Sequence, residues 1–165
     1  MKTVTQKLAL AALFLLSAGS AAAGVTVTFV HPEDYSDMPL AAYDRDAIIR
    51  QFSDYFAYLG KRLPPGQELK IEVLDIDLAG QVRPNFRRHN DLRVLRNGAD
   101  GPQMHLRYTL ESQGRVVQNG DEQLNNLSYM NRVNSYSSSN DPLRYEKQMI
   151  DDWFKKIVTT SKPAI

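Results

Sequence analysis

The stretch that most limits what this chain can fold into is Gln67 to Gly80, QELKIEVLDIDLAG. Leu69, Ile71 and Val73 alternate with Lys70 and Glu72, the period-two pattern of a strand with one buried face. Then the phase slips: Leu74, Ile76 and Leu78 are apolar, and Asp75 and Asp77 fall between them. A strand changes faces only for a cause. Either a bulge sits near Val73–Leu74, or this end is covered on both sides. This longest apolar-rich run is read as a central strand.

The elements around it follow from the same periodicities. Val25, Val27 and Phe29 alternate with threonines in a β-branched run that His31-Pro32 ends. Ile48, Phe52, Tyr55, Leu59 and Leu63 repeat at helical steps, with Asp44 expected as the N-cap, Gly60 just past the end and Pro64-Pro65 forbidding continuation. Met104, Leu106, Tyr108 and Leu110 alternate with His105, Arg107, Thr109 and Glu111, so one face of this strand is wet. Ser112-Gln113-Gly114 turns the chain, and Arg115 to Leu124 returns. A second turn signal, Asn119-Gly120, is read as a bulge. Asp141 is expected to cap a last helix with Pro142 at its first position. That helix carries an apolar stripe of Met149, Ile150, Trp153, Phe154 and Ile157, and i, i+4 pairs Asp151–Lys155 and Asp152–Lys156. The fold class is therefore α+β. A two-layer sandwich is expected, with a mixed or antiparallel sheet of about four or five strands and two helices on one face.

Compartment is read from the first residues. Lys2 and Lys7 precede an apolar run, Leu8 to Leu16, too short to span a bilayer, and Ser17 to Ala23 is small residues ending in Ala21-x-Ala23. This is the pattern of a secretory signal peptide over residues 1–23, the alternative being a retained membrane anchor. Removing residues 1–23 from the 165 leaves 142, one domain over 24–165. The sequence has no cysteine, so it offers no disulfide, no thiol nucleophile and no acylation site for a lipoprotein. Losing Lys2 and Lys7 from the 20 basic residues leaves 18 against 19 acidic ones. That balance, with export, argues against a nucleic-acid partner. The reading is a periplasmic protein that does not span the membrane after cleavage; oligomeric state is not specified by the sequence.

Two stretches fit no regular element. Ala79 to Pro102 carries Arg83, Arg87, Arg88, Arg93 and Arg96, with a short edge strand expected at Leu92 to Leu95. Asn125 to Asn140, NNLSYMNRVNSYSSSN, is rich in residues that offer the backbone local hydrogen bonds, and a mobile loop is expected there.

Four blocks together resemble the domain-of-unknown-function family 3016: VTFVHPEDYSDM at Val27 to Met38, LKIEVLDIDLAG at Leu69 to Gly80, DLRVLRNGADGPQMHLRYTL at Asp91 to Leu110, and DPLRYEKQMIDDWF at Asp141 to Phe154. The resemblance implies a single exported domain of Gram-negative bacteria. It brings with it no activity, cofactor or catalytic residue.

The arginine segment is the leading candidate for function, because guanidinium groups take carboxylate and phosphate bidentately. Arg87, Arg88, Arg93 and Arg96 are expected to bind, and Arg83 to pair structurally with Asp75 and Asp77. The partner would be an envelope protein or an anionic envelope polymer. Alternatives are a metal-dependent hydrolase using Asp75, Asp77 and a histidine, and a purely structural envelope protein. His31, Glu33, Asp34 and Asp37 cluster without a known ligand spacing. His89 and His105 are isolated. No nucleophile elbow, zinc-protease motif or phosphate-binding glycine loop is present, and no catalytic residue, metal or cofactor is assigned.

Overall fold

The computed structural model describes residues 24–85, 90–96, 100–137 and 140–160. Along the chain run β1 (Gly24–Phe29), a 3-10 turn (Pro32–Asp34), α1 (Ala42–Gly60), β2 (Gln67–Asp77), β3 (Gln81–Asn85), β4 (Asn90–Val94), β5 (Gln103–Ser112), β6 (Arg115–Asn125) and α2 (Arg144–Thr160). The main sheet has the order β1-β2-β5-β6, with β1 parallel to β2 and the other pairs antiparallel. β2 is central, as its apolar run requires.

The phase slip has its cause in the ladder. Val73 pairs with Leu106 and Asp75 with His105, so Leu74 is the extra residue of a bulge. The bulge resets the alternation, and Ile76 and Leu78 join Leu69, Ile71 and Val73 in the core. A second bulge lies in β6, at Val117 and not at Asn119-Gly120: Leu110 pairs with Gln118 and Glu111 with Val116, while Asn119 and Gly120 sit in regular register. The hairpin turn is at Gln113-Gly114, with φ of 51° and 75°. Two successive positive φ values give the turn twist that matches paired strands, which is why Gly114 stands there.

Both helices cover one face. Phe52, Phe56 and Leu59 of α1 and Ile150, Trp153, Phe154 and Ile157 of α2 form one buried cluster with the inward residues of β2 and β5. The opposite face is wet. Helix ends differ from expectation. Ala41, without a side-chain cap, precedes α1, which begins two residues before Asp44. Gly60 is the last helical residue, and it is small for a tertiary reason: a Cβ there would lie 2.8 Å from the Val25 backbone nitrogen. Asp141 does accept the Leu143 amide at 2.9 Å, but the helix proper starts at Arg144. Of the two expected pairs on α2, Asp151–Lys155 forms at 3.3 Å, whereas Asp152 meets Arg132 at 2.9 Å and Lys156 meets Glu122 at 3.4 Å.

The described parts of the two irregular stretches make contacts that periodicity does not encode. Leu92 to Val94 belongs to β4, which pairs with β3 in a separate two-stranded ribbon and not with the main sheet. Several described residues of the Asn/Ser-rich segment meet the body. Tyr129 is buried, Asn134 Nδ2 donates to the Arg144 carbonyl at 2.9 Å, Gln148 accepts the Ser135 amide at 3.0 Å, and the Tyr136 and Tyr55 hydroxyls meet at 2.7 Å.

Candidate functional site

The ribbon joins the body through a cluster of long-range bonds at Ala79–Gly80. Arg93 Nη1 donates to Asp37 Oδ2 at 2.6 Å and lies 3.2 Å from the Gly80 carbonyl. Glu146 of α2 accepts the Ala79 amide at 2.8 Å, and the Gly80 amide donates to the Asp100 carbonyl at 2.9 Å. Asp100 also takes the Arg96 amide on both carboxylate oxygens at 3.0 Å. The Tyr129 hydroxyl stands 2.8 Å from Asp100 Oδ1 and 3.0 Å from the Arg96 carbonyl, and burial together with the Asp100 carboxylate pushes it up to about 12. Glu146 is driven up by burial, so its neutral form is favoured at this root.

The arginines therefore divide. Arg93 is held in the root. Arg83 and Arg96 are exposed. Arg87 and Arg88, like His89, lie outside the described residues. Among the described residues the ion pair at this end of the sheet is Arg93–Asp37, and Arg83 has none. Asp75 accepts from both the amide and the hydroxyl of Ser36 at 2.7 Å. Asp77 lies 3.4 Å from Gln103 Nε2, and burial raises it first, the neighbouring Asp37 and Asp75 charges second. His105 is the register partner of Asp75, yet its Nε2 meets Asp121 at 2.5 Å. Asp75, Asp77 and His105 are thus each engaged with a different neighbour. His31, Glu33 and Asp34 do come within 4.8 Å of one another, exposed at the 3-10 turn, while Asp37 is drawn away to Arg93.

The wet face of the sheet is a second candidate surface. Register sets Thr28, Glu72, Arg107 and Asp121 in one row across four strands, and Thr26, Lys70, Thr109 and Asn119 in the next. They line an open concavity of about 680 Å³. Lys70 meets Glu111 at 2.6 Å, and Arg107 Nε meets Asp121 at 2.8 Å. Asp121, bonded first by Arg107 and then by His105, is held below the usual carboxylate range. Hydroxyls, an amide and internally matched charges make this face polar and close to neutral.

A family model described as a protein of unknown function (DUF3016) matches residues 23–156. The chain belongs to the DUF3016 family. No curated protein matches it. Among solved structures, the hypothetical protein CT253 from Chlamydia trachomatis is 12% identical, with 83% of this chain and 94% of that chain covered and a TM-score of 0.34. A minor lipoprotein from Acinetobacter baumannii is 14% identical, with 84% and 91% covered and a TM-score of 0.23.

In this DUF3016 chain, three features escaped the sequence reading. Glu146 looks like an ordinary helix-surface acid, but only 2% of it is exposed. Asp121 sits in a strand whose register had to be known before it could be set beside Arg107 and His105. Trp153 was read as core alone, though it also borders a groove along β6. Only the alternation of β5, which marks His105 and Arg107 as wet, pointed toward any of them. Among the described residues, no helix is long and apolar enough to cross a membrane.

Proposed function

We propose that this DUF3016 chain is a periplasmic binding or accessory module, exported with cleavage after Ala23, that engages an anionic partner through its β3–β4 ribbon. The partner is an envelope protein or an envelope polymer bearing carboxylate or phosphate. One observation carries the reading: the ribbon is separate from the main sheet, yet its root is fastened by Arg93–Asp37 and Glu146–Ala79, and Arg83 on it and Arg96 just past its end are left exposed. A fastened root holds exposed guanidinium groups in a fixed arrangement, which lowers the ordering cost of binding. Arg87 and Arg88, which fall between Asn85 and Asn90 in the sequence, are included in the proposed surface. Arg93 supplies the support. The test compares Arg83→Glu/Arg96→Glu and Arg87→Glu/Arg88→Glu with the unaltered protein for retention on envelope fractions across a salt series. Retention should weaken with salt and be lost in the variants, with melting temperatures unchanged. Retention that survives all four substitutions rules the reading out.

A further inference from the structure

The two edges of the main sheet are unlike. β1 is six residues long, and the last turn of α1 lies against it, at Gly60 over the Val25 nitrogen. β6 is eleven residues long and, among the described strands, pairs only with β5. Among the described residues no backbone hydrogen bond reaches its outer edge. In an edge strand every second residue turns its N–H and C=O outward, a template for another strand.

A groove of about 330 Å³ runs along that edge. Five consecutive residues, Glu122 to Asn126, line it. Successive strand side chains point to opposite faces, so a concavity touching five in a row borders the backbone edge itself. The far wall is Arg132 together with Asp152, Trp153 and Lys156 of α2. Its charges are already matched, Arg132 with Asp152 at 2.9 Å and Lys156 with Glu122 at 3.4 Å. Trp153 is only 4% exposed, and among the described residues its buried Nε1 has no acceptor. A buried N–H without a partner carries an uncompensated desolvation cost, which an oxygen admitted by a shift of the groove wall at Trp153 would remove.

We infer that this groove binds an extended peptide segment of a partner protein as a fifth strand on β6, with a neutral amide side chain, glutamine or asparagine, giving its carbonyl oxygen to Trp153 Nε1. The matched rim charges favour a neutral group over a carboxylate or an amine. A second copy of this chain is the poorer occupant: a two-fold axis on this edge would set one concavity against another and fill neither. The site is independent of the arginine ribbon.

The probes are two fluorescein-labelled decapeptides, one alternating threonine with glutamine and one alternating threonine with leucine, offered to the protein lacking residues 1–23. The glutamine peptide should bind saturably and about tenfold tighter, the ratio that one hydrogen bond of ordinary net strength confers. Trp153→Phe keeps a ring and removes the N–H, so it should bring the two affinities together. Amide exchange on the unaltered protein gives a readout that needs no variant: residues 122–125 should slow when the glutamine peptide binds, and those of β1 should not. Equal affinities, absence of saturable binding, or protection of β1 or the open face instead of β6 overturns the inference. So does a dimer whose β6 amides are already protected without peptide.

Discussion

Glu146 Oε1 accepts the backbone amide of Ala79 at 2.8 Å, across 67 residues of sequence. The carboxyl is almost wholly buried, and its second oxygen has no partner among the described residues. It fastens α2 to the point where the central strand leaves the sheet and the ribbon begins. Burial raises its pKa above the ordinary 4.5. The unfolded chain therefore gives up this proton at lower pH than the folded one does. The contribution of Glu146 to stability is full below 4.5 and is lost as the pH rises through the raised value. Glu146→Gln removes that dependence while keeping an oxygen for Ala79. The melting temperature of the unaltered protein should fall relative to Glu146→Gln as the pH is taken from 4 toward 8. Parallel pH profiles would contradict a Glu146 pKa raised by burial.

Arg93 and Arg96 are close in sequence and should behave differently. Arg93→Ala removes a charge-assisted bond to Asp37 and leaves that carboxylate beside Asp77, so a loss of about 1–3 kcal/mol is expected. The Arg96 side chain is exposed, and Arg96→Ala should change stability by no more than about 0.5 kcal/mol. Chemical denaturation of both variants decides it, and equal effects would dissolve the division between supporting and presented arginines.

Gly60 ends a helix, and alanine is the better helix former by about 1 kcal/mol. On propensity alone Gly60→Ala would stabilise. The contact with the Val25 backbone reverses the sign, because neither main chain can yield without separating α1 from β1. A net loss of about 1–3 kcal/mol is expected from such overpacking. A rise in melting temperature would show that α1 does not rest on β1 there.

Leu106 and Arg107 are neighbours on β5 facing opposite ways. Leu106 is fully buried, and Leu106→Ala should cost about 2–5 kcal/mol. Arg107 lies on the wet face, and Arg107→Ala should leave the unfolding midpoint nearly unchanged. Similar effects from the two would mean that the strand phase is inverted.

What the sequence determined by itself is what repeats locally. Alternation in Leu69–Val73 and Met104–Leu110 marks the buried side of each strand, since the strand backbone returns a side chain to the same face every second residue. The broken alternation near Val73–Leu74 marks an irregularity but left a bulge and two-sided cover both open, and the ladder decided for the bulge. The stripe from Met149 to Ile157 gives the buried side of α2 in the same way. Tertiary structure alone decided which distant groups meet. Arg93 finds Asp37, Asp152 finds Arg132 before Lys156, and β4 pairs with β3 before the main sheet. Many acids and bases in this chain are chemically equivalent, and no local period distinguishes one match from another. Their pairing follows from register and helix placement, which the packing of the whole core sets at once. Glu146 makes the point most simply: its position on the helix is written in the sequence, but its bond to Ala79 depends on how α2 packs against the end of the central strand.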